Sequence, residues 1–176
     1  MRTWKFLRAK DGTVAVEFAF IAPILIVLFL GSVELCYALI CKEKVSTVAA
    51  SASDLVAQDN TVSVAQMNDI FAALNAILYP YPSSSTRVII TSIKQDPNHA
   101  GQFIVDWSVP YNTTAHTKGA SIIVPAGLVT GGGSVILAEV SYAYVPPFTQ
   151  GVTSGFTMTD SFYSRPRKSS FVIYTP

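Results

Sequence analysis

Charge is scarce in this chain. Only 13% of its 176 residues are charged, against about 25% in an ordinary soluble domain. The net charge of +1 gives no sign of a nucleic acid or an acidic substrate as partner. Cysteine is limited to Cys36 and Cys41. Five residues apart, they point about 140° away from each other on a helix and cannot bridge. They read as small hydrophobes. Histidine is limited to His99 and His116, both in polar, loop-like sequence with no neighbouring cysteine or carboxylate cluster. Each reads as a solvated loop residue. Gly151 to Gly155 has the spacing of a nucleophile elbow, but Thr153 stands where the serine must be. Gly131-Gly132-Gly133 is not followed by Lys-Ser or Lys-Thr, so it is no phosphate loop. No enzyme activity, cofactor or metal is expected.

The few charges are unevenly placed. Arg2, Lys5, Arg8 and Lys10 crowd the first ten residues, and Asp11 follows. Removing residues 1–12 would leave eight bases against ten acids. From Thr13 to Cys41 the sequence is almost unbroken apolar, and Phe18 to Val33 carries no charge. Such a helix runs roughly 40 Å, while a bilayer core is about 30 Å thick. It has no polar face, which excludes an ordinary core helix. A signal peptide would have an apolar region of only about 7–15 residues, and the Ala50-Ser51-Ala52 match lies too far downstream. The reading is one transmembrane helix. The bases before it, against the near balance of Lys42, Glu43 and Lys44 after it, put the N-terminus in the cytoplasm and the remainder on the far side of the cytoplasmic membrane.

Beyond the membrane, Val45, Val48, Ala52, Leu55 and Val56 recur at helical spacing, so the helix continues as far as a break at Asp59-Asn60. A second helix is predicted from Ser63, where Ser63 and Gln66 have capping-box spacing. Met67, Ile70, Phe71, Leu74, Ile77 and Leu78 form its apolar stripe, and Tyr79-Pro80-Tyr81-Pro82 ends it. The period then falls to two. Arg87 to Lys94, Phe103 to Val109 and Ile136 to Tyr144 read as strands, with weaker candidates at Phe156 to Tyr163 and Phe171 to Tyr174. Helices first and strands later predict an α+β fold: a long N-terminal transmembrane helix continuing into a small head, with a second helix packed on an antiparallel sheet. The division is a basic leader at 1–12, a transmembrane helix at 13–41 and an extracytoplasmic head at 42–176.

Glu17 is the most informative residue of the apolar run. A charge deep in a bilayer costs about 2.5–3.5 kcal/mol on insertion scales, so it usually has a partner. If the chain is cut after Gly12, Thr13 carries a free α-amine one helical turn from Glu17. The carboxylate could then pair with its own terminus or a neighbour's. Glu34 lies near the far interface and can reach water. Pro23 removes a backbone donor and crowds the carbonyl of Ala19. A kink or short non-helical patch is expected from Ala19 to Pro23.

The stretch Lys10-Asp11-Gly12-Thr13-Val14-Ala15-Val16-Glu17-Phe18-Ala19 resembles the processing site of a type IV prepilin of the tight-adherence class. Phe18 to Leu25, with Pro23 inside it, and Gly31-Ser32-Val33-Glu34-Leu35 resemble the TadE and TadG group of minor pilins, or pseudopilins. Val140 to Pro146 and the tail Tyr163-Ser164-Arg165-Pro166-Arg167 fit the same group. The resemblance implies a structural subunit cut between Gly12 and Thr13 by a prepilin peptidase. It also implies assembly through Glu17, Phe18 and Pro23. The implied partners are other minor and major pilins, the inner-membrane pilus assembly platform and the lipid bilayer, and the implied role is starting, capping or decorating an adhesive pilus. The alternative is an uncleaved, membrane-tethered periplasmic domain acting as a structural or docking partner of a secretion or pilus apparatus. In the tail, Arg165 and Arg167 are expected to pair with Asp160 or Glu139, or else to form an exposed basic turn.

Overall fold

A computed structural model describes residues 11–129, 132–148 and 155–176. The first ten residues of the basic leader, Gly131 of the triple glycine and the 151–154 part of the elbow-like run lie outside the described residues.

Helix α1 runs from Asp11 to Ala57, 47 residues and about 70 Å at 1.5 Å per residue. The non-helical patch expected at Ala19 to Pro23 is absent, and α1 is helical straight through Pro23. A single proline costs the helix one backbone hydrogen bond, and the flanking leucines, isoleucines and valines form enough turns on each side to carry it across.

Strand β1 (Thr61–Ser63) leads into α2 (Val64–Leu78). The capping box is present: Ser63 accepts from the Gln66 backbone N–H, and the Gln66 side chain accepts from the Ser63 N–H at 2.9 Å. A short 3-10 turn at Ser83–Ser85 precedes β2 (Thr86–Gln95). Strands β3 (Phe103–Tyr111), β4 (Ser134–Tyr144) and β5 (Phe156–Ser164) complete an antiparallel sheet of order β3-β2-β4-β5. The last run, β6 (Ile173–Thr175), does not join that sheet. It pairs in parallel with β1, Val62 opposite Tyr174.

The α+β arrangement is therefore present, with the second half of α1 laid over β4 and β5 and α2 beside it. Cys41, Val45, Val48, Ala52 and Val56 follow the i, i+4, i+7 pattern and are fully buried against Ile136, Ala138, Val140 and Met158. Met67, Phe71, Leu74 and Leu78 bring α2 into the same core. Phe71 reaches the sheet edge, its ring 5.1 Å from that of Tyr111. The opposite sheet face is covered at its distal end only. There Ile122, Val124 and Leu128 of the long β3–β4 connection close over Ile93, Val135 and Leu137.

The stripe through Phe103, Val105, Trp107 and Val109 is not one face. The β2–β3 register slips between Ser92 and Ile93, leaving Asp106 as an extra residue on β3. Trp107 and Val109 consequently join the helix-side core, while Phe103 packs with the outer cluster.

Candidate functional site: the membrane helix and its junction with the head

From Gly12 to Val33 α1 is exposed almost throughout. Val14, Phe18, Ile24, Val27, Phe29 and Leu39 are all exposed. Apolar side chains of this number are stable in that state only in a nonaqueous surrounding. Among the described residues, α1 is the one helix long and apolar enough to cross a membrane. Gly12, Thr13, Glu17, Phe18 and Pro23 all lie on this exposed half. They are spread along three turns of one helix and are not gathered by the fold into a pocket.

The head grips the helix from Glu34 onward. The Phe148 backbone N–H donates to the Glu34 carboxylate (3.4 Å), and the Tyr81 hydroxyl donates to the Tyr37 carbonyl (2.9 Å). The rings of Tyr37 and Phe148 lie 6.0 Å apart. Tyr37, Pro80, Tyr81, Tyr142, Tyr144 and Pro146 line a mostly apolar cavity of about 360 Å³ at this junction. Burial pushes the Tyr144 phenol up to about 12, and the nearby Glu34 carboxylate adds to the shift. Burial likewise raises Tyr142 to about 12. Gly155 closes the junction. A Cβ there would lie 2.5 Å from the Tyr144 carbonyl oxygen, so no larger residue fits.

One to two turns further on, side chains fasten helix to head. Lys42 Nζ pairs with Asp160 (3.0 Å) and donates to the Thr159 carbonyl (2.7 Å). Ser46 donates to the same carboxylate. The Ser46 hydrogen bond, followed by that of Lys42, holds Asp160 below the usual aspartate range, with partial burial opposing. Lys44 caps the end of α2 by donating to the Ile77 carbonyl (2.9 Å).

The tail arginines do not pair as expected. Asp160 is taken by Lys42 and Ser46, and Glu139 by His116, whose Nε2 lies 2.5 Å from its carboxylate. Arg167 instead pairs with Asp54 of α1, and its backbone N–H donates to the Ala57 carbonyl (2.9 Å). Arg165 donates to the carbonyls of Gly127 and Leu128. The segment around Pro166 is thus a strap across the end of α1, continued by the Trp107 indole N–H donating to the Val172 carbonyl (2.7 Å). The histidines are not free in loops either, since His99 also lies 2.8 Å from Asp96. Apart from Asp96, three residues before His99, these partners sit far away in sequence, beyond any spacing rule. Among the described residues, no group of three His, Cys, Asp or Glu is placed to hold a metal ion.

An exposed apolar helix running unbroken into a small α+β head is the build of a membrane-anchored protein. Residues 12–54 match the family model of TadE-like proteins. The match begins at Gly12 and ends within α1, so it covers the anchor and most of the helix that enters the head. The recognition of this segment as TadE-like therefore stands. No curated protein and no solved structure matches the chain.

Proposed function

We infer that the chain is a minor pilin of the tight-adherence class, a structural and non-catalytic subunit. A prepilin peptidase cuts it between Gly12 and Thr13, at the cytoplasmic face where the basic leader holds the site. The head stands on the far side of the inner membrane. The subunit then joins other minor and major pilins through the exposed half of α1, guided by the assembly platform, and helps start, cap or decorate the pilus. The observation that carries this reading is the TadE-like match beginning at Gly12, on a helix whose Glu17 and Phe18 are exposed along with the apolar surface around them. In a filament that surface is covered by neighbouring helices, and the Glu17 carboxylate answers an α-amine created by cleavage.

Two measurements on one strain test it. Mass analysis of the mature protein should find an N-terminus at Thr13, and an N-terminus at Met1 would leave the uncleaved tethered domain. Glu17→Gln should insert in the membrane and be cut nearly normally, yet lower the pilus count. Removing one side of a well-buried ion pair costs about 3–5 kcal/mol. Wild-type piliation by this variant would overturn the assembly role.

A further inference from the structure

The junction carries a surface that the core does not use. Around α1 at Glu34 to Tyr37 the head presents two runs, Tyr79-Pro80-Tyr81-Pro82 and Val145-Pro146-Pro147-Phe148, and neither contains a charge. Both touch the helix, Tyr81 through Tyr37 and Phe148 through Glu34 and Tyr37. Yet Tyr79 is 77% exposed, and Val145, Phe148 and Phe156 are each about half exposed. Phe156 is part of the same rim, its ring 5.4 Å from that of Tyr144. The patch is continuous with the bare surface of the anchor, because Leu35, Leu39 and Ile40 remain exposed on α1 alongside it.

Length fixes what lies against this rim. From Thr13 to Glu34 a helix rises about 32 Å, close to the roughly 30 Å of a bilayer's hydrocarbon core. A span that begins at Thr13 places Glu34 and the rim at the far interface. That is the level at which amphipathic tyrosines concentrate and a carboxylate escapes the cost of hydrocarbon.

We propose that this aromatic and proline-rich rim is a lipid-docking face, which seats the head directly on the headgroup region of the outer surface of the bilayer before assembly. The inference rests on the anchor reading of α1. The occupant is phospholipid, with the rings entering the boundary between headgroups and acyl chains. The distal end of the head, about 34 Å away along the ten residue steps of β4 from Tyr144 to Ser134, stays in water.

Tryptophan quenching by brominated phospholipid tests this with the full chain in nanodiscs. Three single variants are compared with the parent, so that emission from Trp4 and Trp107 is subtracted. Phe156→Trp reports the rim, Val27→Trp the anchor, and Ile123→Trp the distal loop, where Ile123 is 93% exposed. With bromines near the headgroup end of the chains, the added emission of Phe156→Trp should be largely lost while that of Ile123→Trp is kept. Lipid brominated deeper should quench Val27→Trp. Quenching at Val27 without quenching at Phe156 would overturn the docking face and leave the anchor standing. No quenching at either would overturn both. Equal quenching at Phe156 and Ile123 would mean indiscriminate adsorption, and would also overturn it. Tyr79→Trp gives a second rim probe at an open position should Phe156→Trp disturb folding, as judged by its thermal midpoint.

Discussion

The two halves of α1 are built from similar residues and meet opposite surroundings. Val27 is 69% exposed and Val48 fully buried, on one uninterrupted helix. What separates them is the distribution of small and polar residues around the helix. In the first half, large aliphatic and aromatic side chains point in every direction, which suits lipid. In the second, valines, alanines and Ser53 line one face closely enough for the sheet to approach, while Glu43 and Thr47 occupy the other. Hydrophobicity alone does not say which solvent a helix meets; its angular pattern does.

Placing a charge in each half is the most direct way to break this comparison. Val48→Asp should unfold the head, because an unpaired carboxylate among Ile136, Ala138 and Val140 costs about 3–5 kcal/mol. Loss of the cooperative thermal transition would show it. Val27→Asp should leave that transition unchanged and instead weaken membrane partitioning by about 2.5–3.5 kcal/mol, read by fractionation. If both variants lost the transition, the bare half would belong to the folded core after all.

The clasps sharpen the same boundary. Asp160→Asn removes the acceptor shared by Lys42 and Ser46 and should cost about 1 kcal/mol at neutral pH. The fold depresses the pKa of Asp160. Its contribution is therefore present above the unfolded aspartate value of about 3.9 and is lost as pH falls through the lower folded value. The gap in thermal midpoint between wild type and Asp160→Asn should close in that acid range. The smallest effect belongs to Arg167→Ala. The Arg167–Asp54 pair is largely exposed, and such pairs contribute about 0–1 kcal/mol. A double-mutant cycle with Asp54→Ala should show weak coupling that added salt removes.

Much of this was legible in the sequence because it is local. The anchor, the capping box of α2 and the period-two runs are each set by neighbours within a turn or a strand. The features that escaped are non-local. Thr61 to Ser63 is too short for any period to show, so its parallel pairing with β6 had no signal. The Asp106 bulge inverts half of β3 without altering its alternation. The tail arginines looked for acids on the sheet, but Asp54 lies 113 residues away in the chain and only the fold brings it near. Pro80 and Pro82 of the rim read correctly as the end of α2, and only their placement around Glu34 shows them to be surface.

The unbroken course of α1 makes residue count a setting of phase. No loop or hinge separates Glu17 from Cys41, so the direction in which Glu17 points, relative to the sheet gripping Cys41, is fixed by how many residues lie between them. Deleting one residue there shortens the span by only about 1.5 Å, which a bilayer tolerates, but turns Glu17 by about 100°. Deleting seven nearly restores the angle while drawing Glu17 about 10 Å closer to the head. The anchor is thus a ruler with an angular scale. In the proposed filament, the bearing and the height at which the chain meets its neighbours are both written in the length of a single helix.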